Sequence, residues 1–232
     1  MTLIFLKLGG SLITDKTRPR AHQPDVLARL TAEIVQARAA QPDLRLLLGH
    51  GSGSFGHVEA SRYGTKHGVH SPQDWEHFAE VWEVAREINL IVTRALRAAG
   101  LPVMTFQPSA SARVSDGRIV EYAVAPIRAA LEHGLIPLVY GDVAFDERRG
   151  GTIISTEASF FVLARQFHPA RILLAGLEDG VYSDYPAGRT VIPEITAADL
   201  PGWLPALRGS AGYDVTGGMA AKVTEMIALC GE

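Results

Sequence analysis

Residues 46–57 read LLLGHGSGSFGH, and within this stretch an apolar run changes into a loop that carries four glycines. Glycine lets main-chain N–H groups approach a ligand closely, and a helix that starts after such a loop favours an anion at its N-terminus. His57 closes the loop, where its imidazole can donate a hydrogen bond to a phosphate oxygen. We therefore predict an anion-binding loop, and we interpret His50, at the end of the apolar run, as structural.

Short apolar runs of the same kind recur along the chain and alternate with helical patterns. The runs cover residues 3–8, 44–48, 103–106, 136–139 and 172–175, and the helical patterns cover residues 25–40, about 73–99, 125–133, 156–167 and 219–229. Strands that alternate with helices are typical of a mostly parallel sheet that is covered on both faces. The predicted fold class is α/β, a three-layer α/β/α sandwich around a mostly parallel central sheet.

Two segments interrupt this alternation. Residues 112–122 contain the pair Asp116-Gly117, and residues 143–154 contain Gly150-Gly151. Such pairs between apolar residues are typical of tight turns that join antiparallel strands. We therefore predict two β-hairpins that turn at these pairs.

A second glycine turn, Lys7-Leu8-Gly9-Gly10-Ser11, follows the first apolar run. Open α/β sheets bind ligands beyond the carboxyl ends of their strands, so this turn is in a favourable place for a phosphate. The same residues also fit an ordinary tight turn with a solvated lysine. The spacing matches neither GxxxxGK[ST] nor GxGxxG, which excludes a P-loop and a dinucleotide-binding fingerprint.

Three other positions carry polar residues at the ends of predicted elements. Asp142 follows the fourth apolar run, and Asp179-Gly180 follows the fifth. Lys222 comes one turn after the two glycines that open the last helical pattern, where a lysine can reach phosphates that lie over the helix N-terminus. Taken alone, Asp179-Gly180 indicates a turn, and Lys222 also fits a solvated surface lysine.

The composition limits the classes of function. The chain has 232 residues, 47% of them apolar, and a net charge of −3, so it has no general basic surface for nucleic acid or an anionic membrane. Cys230 is the single cysteine, and the N-terminal residues lack the features of a signal peptide. We expect a cytoplasmic protein, since no apolar run approaches the roughly 20 residues needed to cross a bilayer.

Taken together in order and spacing, the motifs KLGGS, GHGSGSFGH, GDV, DGVY and DVTGGMAAK resemble the amino acid kinase superfamily over nearly the whole chain. The residues LITDK at 12–16 and the histidine at position 57 are similar to those of isopentenyl phosphate kinases, which share this histidine with fosfomycin kinases. The resemblance implies phosphorylation of isopentenyl phosphate by ATP, with Mg²⁺ carried by the nucleotide. It also implies a homodimer with an acceptor-binding lobe at residues 1–156, which contains the glycine-rich loop, and a nucleotide-binding lobe at residues 157–232.

The resemblance implies a role for each matching residue. Lys7 and Lys16 neutralise the transferring phosphoryl group, and His57 holds the phosphate of the acceptor. Together with these three, Asp142 and Glu157 complete the expected catalytic set. The expected ATP contacts are Lys7, Gly9, Gly10, Ser11, Ser52, Asp179, Gly180, Gly218 and Lys222, and the expected acceptor contacts are Gly51, Gly56 and His57. No metal ligand is expected from the protein.

The chain departs from the family pattern at three places. Leu177 occupies the first acidic position of the usual TDVDG loop, and Glu157 stands where relatives carry the aspartate of SGD. Glu157 is one methylene longer than that aspartate, so we expect it to organise the lysines differently. Relatives also usually continue through another strand and helix, so we expect fewer strands in the sheet of the nucleotide lobe.

Two alternative functions fit the same residues. One is a kinase for another small phosphate or phosphonate, such as fosfomycin, which a small polar pocket would favour. The other is an oxyanion-binding protein without turnover, and the joint presence of Lys7, Lys16, His57 and Lys222 argues against it. An apolar stripe on the helical pattern around residues 75–99 is mainly a core face and also a candidate wall for a prenyl tail; it comprises Phe78, Val81, Trp82, Ala85, Ile88 and Leu90.

Overall fold

The computed structural model describes residues 2–15, 17–56, 62–184, 187–207 and 218–230. The chain divides into two compact units, Met1–Gly176 and Leu177–Glu232. This division falls 20 residues after the lobe boundary expected between residues 156 and 157. The predicted boundary concerns which lobe binds which substrate, and it stays a prediction.

The described residues form nine strands. They are β1 Thr2–Leu8, β2 Leu44–His50, β3 Val103–Thr105, β4 Ala112–Ser115, β5 Arg118–Tyr122, β6 Ile136–Tyr140, β7 Asp142–Asp146, β8 Gly150–Ile154 and β9 Arg171–Ala175. Five of them make a parallel sheet in the order β3-β6-β2-β1-β9. These five correspond to the five predicted apolar runs, so the predicted central sheet is confirmed.

Among the described helices, the five longest agree closely with the predicted helical patterns, and three helices of four residues were not predicted. The described helices are α1 Gly10–Ile13, α2 Pro24–Ala40, α3 Pro72–Ala98, α4 Pro108–Ser111, α5 Val124–Glu132, α6 Thr156–Phe167, α7 Leu200–Trp203 and α8 Gly218–Cys230, with 3₁₀ turns at Gly53–Phe55 and Thr65–His67. A capping box of Ser71 and Asp74 begins the long helix α3. Across the residues that the structure describes, no helix is long and apolar enough to cross a membrane.

Helices cover both faces of the central sheet. On one face, α2 and α3 bury Leu30, Ile34, Ile88 and Val92 against the leucines of β1 and β2. On the other face, the ring of Phe160 in α6 packs on Phe5 of β1, with 5.1 Å between ring centroids. Alternate side chains of each strand point to opposite faces, so both sets can be buried at once. The predicted three-layer fold class is confirmed.

The two predicted hairpins are present and lie side by side in a second sheet, with the strand order β5-β4-β7-β8. The first hairpin turns at Asp116-Gly117, where both residues have positive φ, as predicted. The predicted position of the second turn was wrong. Gly150 and Gly151 are already paired in β8, and the chain reverses at residues 147–149. The carboxylate of Asp146 accepts hydrogen bonds from the main-chain N–H groups of Arg148 and Arg149. These hydrogen bonds stabilise a turn at residues 147–149, before the predicted turn at Gly150-Gly151.

The close approach of α6 to β2 generates a testable consequence. A Cβ atom added at Gly49 would lie 2.5 Å from the Thr156 methyl group and 2.8 Å from the Phe160 ring. We expect Gly49→Ala to lower the free energy of unfolding by about 1–3 kcal/mol, since overpacking a dense interior forces shifts. Denaturant titration measures this, with Gly202→Ala as the control because nothing lies within 4 Å of a Cβ there. Equal stability of the two variants would contradict the packing described.

Candidate active site

A buried ion pair lies at the centre of the candidate site. Lys7, near the end of β1, places its Nζ atom 2.5 Å from Oε1 of Glu157 in the first turn of α6. The side chains are only 13% and 6% exposed. A charge removed from water in this way must be paired, and removing one partner of such a pair typically costs about 3–5 kcal/mol. The ammonium group is therefore held in one place at the edge of the sheet.

The two glycine turns lock together beside this ion pair. Gly53 has φ +52°, and a Cβ atom there would lie 2.4 Å from the carbonyl oxygen of Gly10. Thr14 joins the same contact, because its hydroxyl donates to the Gly10 carbonyl at 2.7 Å and accepts the N–H of Ser54 at 2.9 Å. The turns after β1 and β2 therefore form one unit, in which a side chain at Gly53 would not fit.

The locked turns lie next to the stem of Lys7. A Cβ atom at Gly51 would lie 3.9 Å from Cε of Lys7 and 2.9 Å from the N atom of Gly10. Gly9 donates its N–H to Ala175 at the end of β9, which fixes the entry to the first turn. Ser11 follows within α1, and Gly56 ends the 3₁₀ turn of the second loop. A lysine beside glycine-rich backbone is suited to binding phosphate groups.

Gly141, which follows β6, is hydrogen-bonded to the second of these turns. Ser52 donates its hydroxyl to the carbonyl of Gly141 at 3.2 Å, and the N–H of Gly141 donates to the carbonyl of His50 at 3.2 Å. The hydroxyl of Thr156 also donates to this His50 carbonyl, at 2.6 Å. The start of α6, which carries Glu157, is thereby tied to the glycine-rich loop.

His50 itself is fully buried. Its ring stacks on Tyr140, and its two ring nitrogens lie 3.2 Å from the carbonyl oxygen of Gly51 and from Oδ1 of Asn89. Burial lowers the pKa of His50 below the usual value of 6.5, so the ring is neutral at pH 7. These contacts agree with the structural role that the sequence suggested.

Asp142 is also buried, at 1% exposure, and its carboxylate faces the main chain. It accepts the N–H of Ser109 at the start of α4 at 3.1 Å and its neighbour Val143's N–H at 2.9 Å. Burial raises the pKa of Asp142 to about 6, although these hydrogen bonds act in the opposite direction. Asp142 thus anchors α4 beside the strand end that contacts Ser52.

The structure describes the remaining predicted site residues only in part. Lys16 and His57 lie outside the described residues, as does the side chain of Lys222, whose main chain belongs to α8. Gly218 is the first residue of α8, and Asp179 and Gly180 lie in a bend of the second unit. Within the first unit, Lys7, Gly9, Gly10, Ser11, Gly51, Ser52, Gly56, Asp142 and Glu157 come together around the ends of the parallel strands.

Sequence reasoning missed two hydroxyl groups that hold this arrangement. Thr14 lies within the quoted LITDK stretch, yet its link between Gly10 and Ser54 was not foreseen. Thr156 was assigned only to the start of a helix, whereas its hydroxyl bonds to the carbonyl of His50. A threonine near a glycine turn or a helix start is a usable signal, because its hydroxyl can bond to nearby main-chain groups.

Apolar side chains pack together between α3 and the second hairpin. We call this group the apolar cluster; its buried members are Val69, Phe78, Val81 and Val143, with Tyr63, Trp82 and Ile153 packed against them. Ala85 and Ile88 of the predicted stripe are buried as expected, but Leu90 is 41% exposed, so its assignment to that face was wrong. Val143 directly follows Asp142 in β7, so its side chain points to the face of that strand opposite to the Asp142 side chain, and the cluster packs on that face.

A separate apolar cavity lies under α2 and does not belong to the site. Its volume is about 350 Å³, and its lining includes Leu6, Leu8, Ile34 and Leu173. Leu6 and Leu8 alternate with Lys7 along β1, so they point to the opposite face of the sheet. This cavity therefore opens away from the Lys7–Glu157 pair.

Comparison with known proteins agrees with this geometry. The family model of the amino acid kinase family matches residues 2–232. An isopentenyl phosphate kinase of Methanothermobacter thermautotrophicus is 35% identical over 98% of this chain and 86% of its own, and one of Haloferax volcanii is 35% identical over 99% and 89%. An X-ray structure of an isopentenyl phosphate kinase, 33% identical, superposes with a TM-score of 0.78 over 88% of this chain and 85% of that one. The chain belongs to the amino acid kinase family.

The raised pKa of Asp142 predicts a pH-dependent effect on stability. Between the unfolded value of 3.8 and the folded value of about 6, the folded state binds more protons than the unfolded state, so this group's contribution falls as pH rises. We expect Asp142→Asn, which cannot ionise, to gain stability relative to the wild type from pH 4 to pH 6, with a plateau above.

Denaturant titrations at each pH measure the difference in the free energy of unfolding between Asp142→Asn and the wild type. The exposed Asp199→Asn change is the matched control, because it removes a carboxylate that the fold does not bury. A difference for Asp142→Asn that stays constant or shrinks as pH rises would contradict the assignment of Asp142 as a buried carboxylate with a raised pKa.

Proposed function

We propose that the chain is an ATP-dependent kinase that converts isopentenyl phosphate to isopentenyl diphosphate. The observation that carries the proposal is the Lys7–Glu157 ion pair beside two interlocked glycine turns. A fixed ammonium group and close main-chain N–H groups are what a transferring phosphoryl group requires. The similarity to isopentenyl phosphate kinases over nearly the whole chain supports this acceptor.

The proposed chemistry needs little from the protein beyond alignment and charge. An oxygen of the acceptor's phosphate bonds to the γ-phosphorus of ATP, the bond from that phosphorus to the bridging oxygen breaks, and ADP leaves with this oxygen. Because the acceptor is already an anion, no general base is needed. When bound, Mg²⁺ carried by the nucleotide shields the charge of its phosphates.

Apart from Asp142 and Glu157, which were expected in the catalytic set, each predicted site residue keeps its proposed role. Lys7 and Lys16 neutralise the transferring group, His57 holds the acceptor's phosphate with Gly51 and Gly56, and Lys222 binds the phosphates of ATP. Further ATP contacts come from Gly9, Gly10, Ser11, Ser52, Asp179, Gly180 and Gly218. Glu157 contacts Lys7 and Asp142 anchors α4, so we assign both as positioning residues.

The tail of the acceptor is proposed to lie against the apolar cluster. Val143 adjoins the strand end that contacts Ser52, and Phe78 and Val81 extend the apolar surface from there along α3. Burying each methylene contributes about 0.8 kcal/mol, so a five-carbon tail gains enough to be preferred over a small polar acceptor. A homodimer and a cytoplasmic location stay predictions.

An acceptor series tests the proposed function. We expect the wild type to use isopentenyl phosphate with a higher kcat/KM than dimethylallyl phosphate, fosfomycin, glutamate or UMP, because phosphate and apolar tail are both recognised. ADP release measured with each acceptor gives these ratios. If fosfomycin is the best acceptor, the phosphonate alternative replaces the proposal, and no turnover with any acceptor favours oxyanion binding alone.

The chemical role of Lys7 is tested in the same assay with Lys7→Met/Glu157→Gln. This double variant removes both charges together, so neither is left buried without a partner. We expect kcat to fall by about 10²–10³, the usual cost of losing one group that stabilises transition-state charge. The single variant Glu157→Gln, which keeps the Lys7 charge, should lose less.

A further inference from the structure

Asp146 accepts four main-chain hydrogen bonds, although it has no part in the proposed reaction. Asp146 is 4% exposed and lies at the end of β7, outside the proposed phosphate-binding turns. One oxygen accepts the N–H groups of Arg148, Arg149 and Asp116, at 2.9, 2.9 and 3.0 Å, and the other accepts the N–H of Gly117 at 2.6 Å. A single side chain thereby joins the turns of both hairpins.

These contacts favour the charged form of the carboxylate. Burial alone would raise the pKa of Asp146, but the four main-chain N–H groups outweigh it, and the pKa is lowered below 3.8. The side chain is therefore an anion throughout the neutral pH range. Arg149 adds a second link between the turns, because its guanidinium donates to Asp116 at 2.8 and 3.0 Å.

The joined turns also hold the segment at residues 65–69. The N–H of Val69 donates to the carbonyl of Arg149 at 2.8 Å, and the hydroxyl of Thr152 donates to the carbonyl of Lys66 at 3.0 Å. Val69 is itself 2% exposed and packs in the apolar cluster with Phe78. The position of this part of the wall thus depends on the second hairpin turn, and the turn depends on Asp146.

We propose that Asp146 is a positioning residue for the acceptor's tail: through the two turns and Val69, it fixes the wall of the apolar cluster and so limits the length of tail that fits. The inference rests on the proposed function, because the tail is taken to lie against this cluster. It concerns the shape of the wall and not the transfer of the phosphoryl group. Loss of the contact should therefore change selection of the acceptor more than the rate of transfer.

Asp146→Asn is a sharp test because the amide has one acceptor oxygen and one donor group. If its oxygen takes the position that accepts three N–H groups, its NH₂ group faces the N–H of Gly117, and that hydrogen bond is lost. The hydrogen bonds from Asp116, Arg148 and Arg149 remain but weaken, because a neutral amide oxygen is a poorer acceptor than a carboxylate. We expect KM for isopentenyl phosphate to rise about tenfold, the equivalent of one lost hydrogen bond to a charged group, with kcat and KM for ATP changed less than about threefold. Geranyl phosphate should become a relatively better acceptor.

A second variant and a control distinguish the proposed change in acceptor selection from a general folding defect. Thr152→Val keeps the side-chain shape and leaves the Asp146 contacts in place, but it releases the carbonyl of Lys66. It should shift acceptor selection in the same direction and by less. Asp199→Asn is the matched control, because Asp199 accepts hydrogen bonds from Thr196 in the second unit and should leave acceptor selection unchanged.

Hydrogen exchange at the Val69 amide provides a readout that does not depend on activity. We expect exchange at Val69 to be faster in Asp146→Asn than in the wild type, since this N–H bonds to Arg149. Unchanged exchange would overturn the link from Asp146 to the wall, whatever the substrate is. Faster exchange with unchanged acceptor KM and tail preference would overturn the positioning role, and a wild type inactive on isopentenyl phosphate would overturn the proposed function instead.

Discussion

Gly53 has a positive φ and packs closely against the carbonyl group of Gly10, and this backbone contact fixes the geometry of the candidate site. The two turns follow adjacent parallel strands, so their main chains meet at one edge of the sheet. Thr14 bonds to both turns, and Ser52 extends the connection to the end of β6. The phosphate site proposed at this edge therefore rests on main-chain positions that the strand register sets.

The buried ion pair adds charge to this frame. Glu157 begins α6, and the contact of its neighbour Thr156 with His50 ties the helix start to the same strand ends. The carboxylate of Glu157 contacts Lys7 directly, so the glutamate that was expected to organise the lysines does so for Lys7 through an ion pair. Lys7 is thereby held at a fixed point beside Gly51, where a flexible surface lysine would lose more conformational freedom on binding phosphate.

Much of the fold could be predicted because the signals are local. Five apolar runs and five helical patterns identified the central sheet and its covering helices, and the glycines indicated the edge at which a phosphate site is predicted. The second turn was misplaced because Asp146 bonds to Arg148 and Arg149, and a glycine pair alone does not reveal that competition. The partner of Lys7 lies 150 residues away, and no local pattern measures such a contact. The exposure of Leu90, in contrast, follows from helical spacing alone, because residues two apart on a helix do not share a face and Leu90 is two residues after the buried Ile88.

The central claim is that phosphoryl transfer takes place at Lys7, beside the contact of Gly10 with Gly53. A crystal structure with a non-hydrolysable ATP analogue and isopentenyl phosphate tests this most directly. The account predicts the γ-phosphate within hydrogen-bond reach of the Lys7 ammonium and of the main-chain N–H of Gly10, with the acceptor's tail against Phe78. Phosphates bound elsewhere, with Lys7 contacting only Glu157, would contradict it.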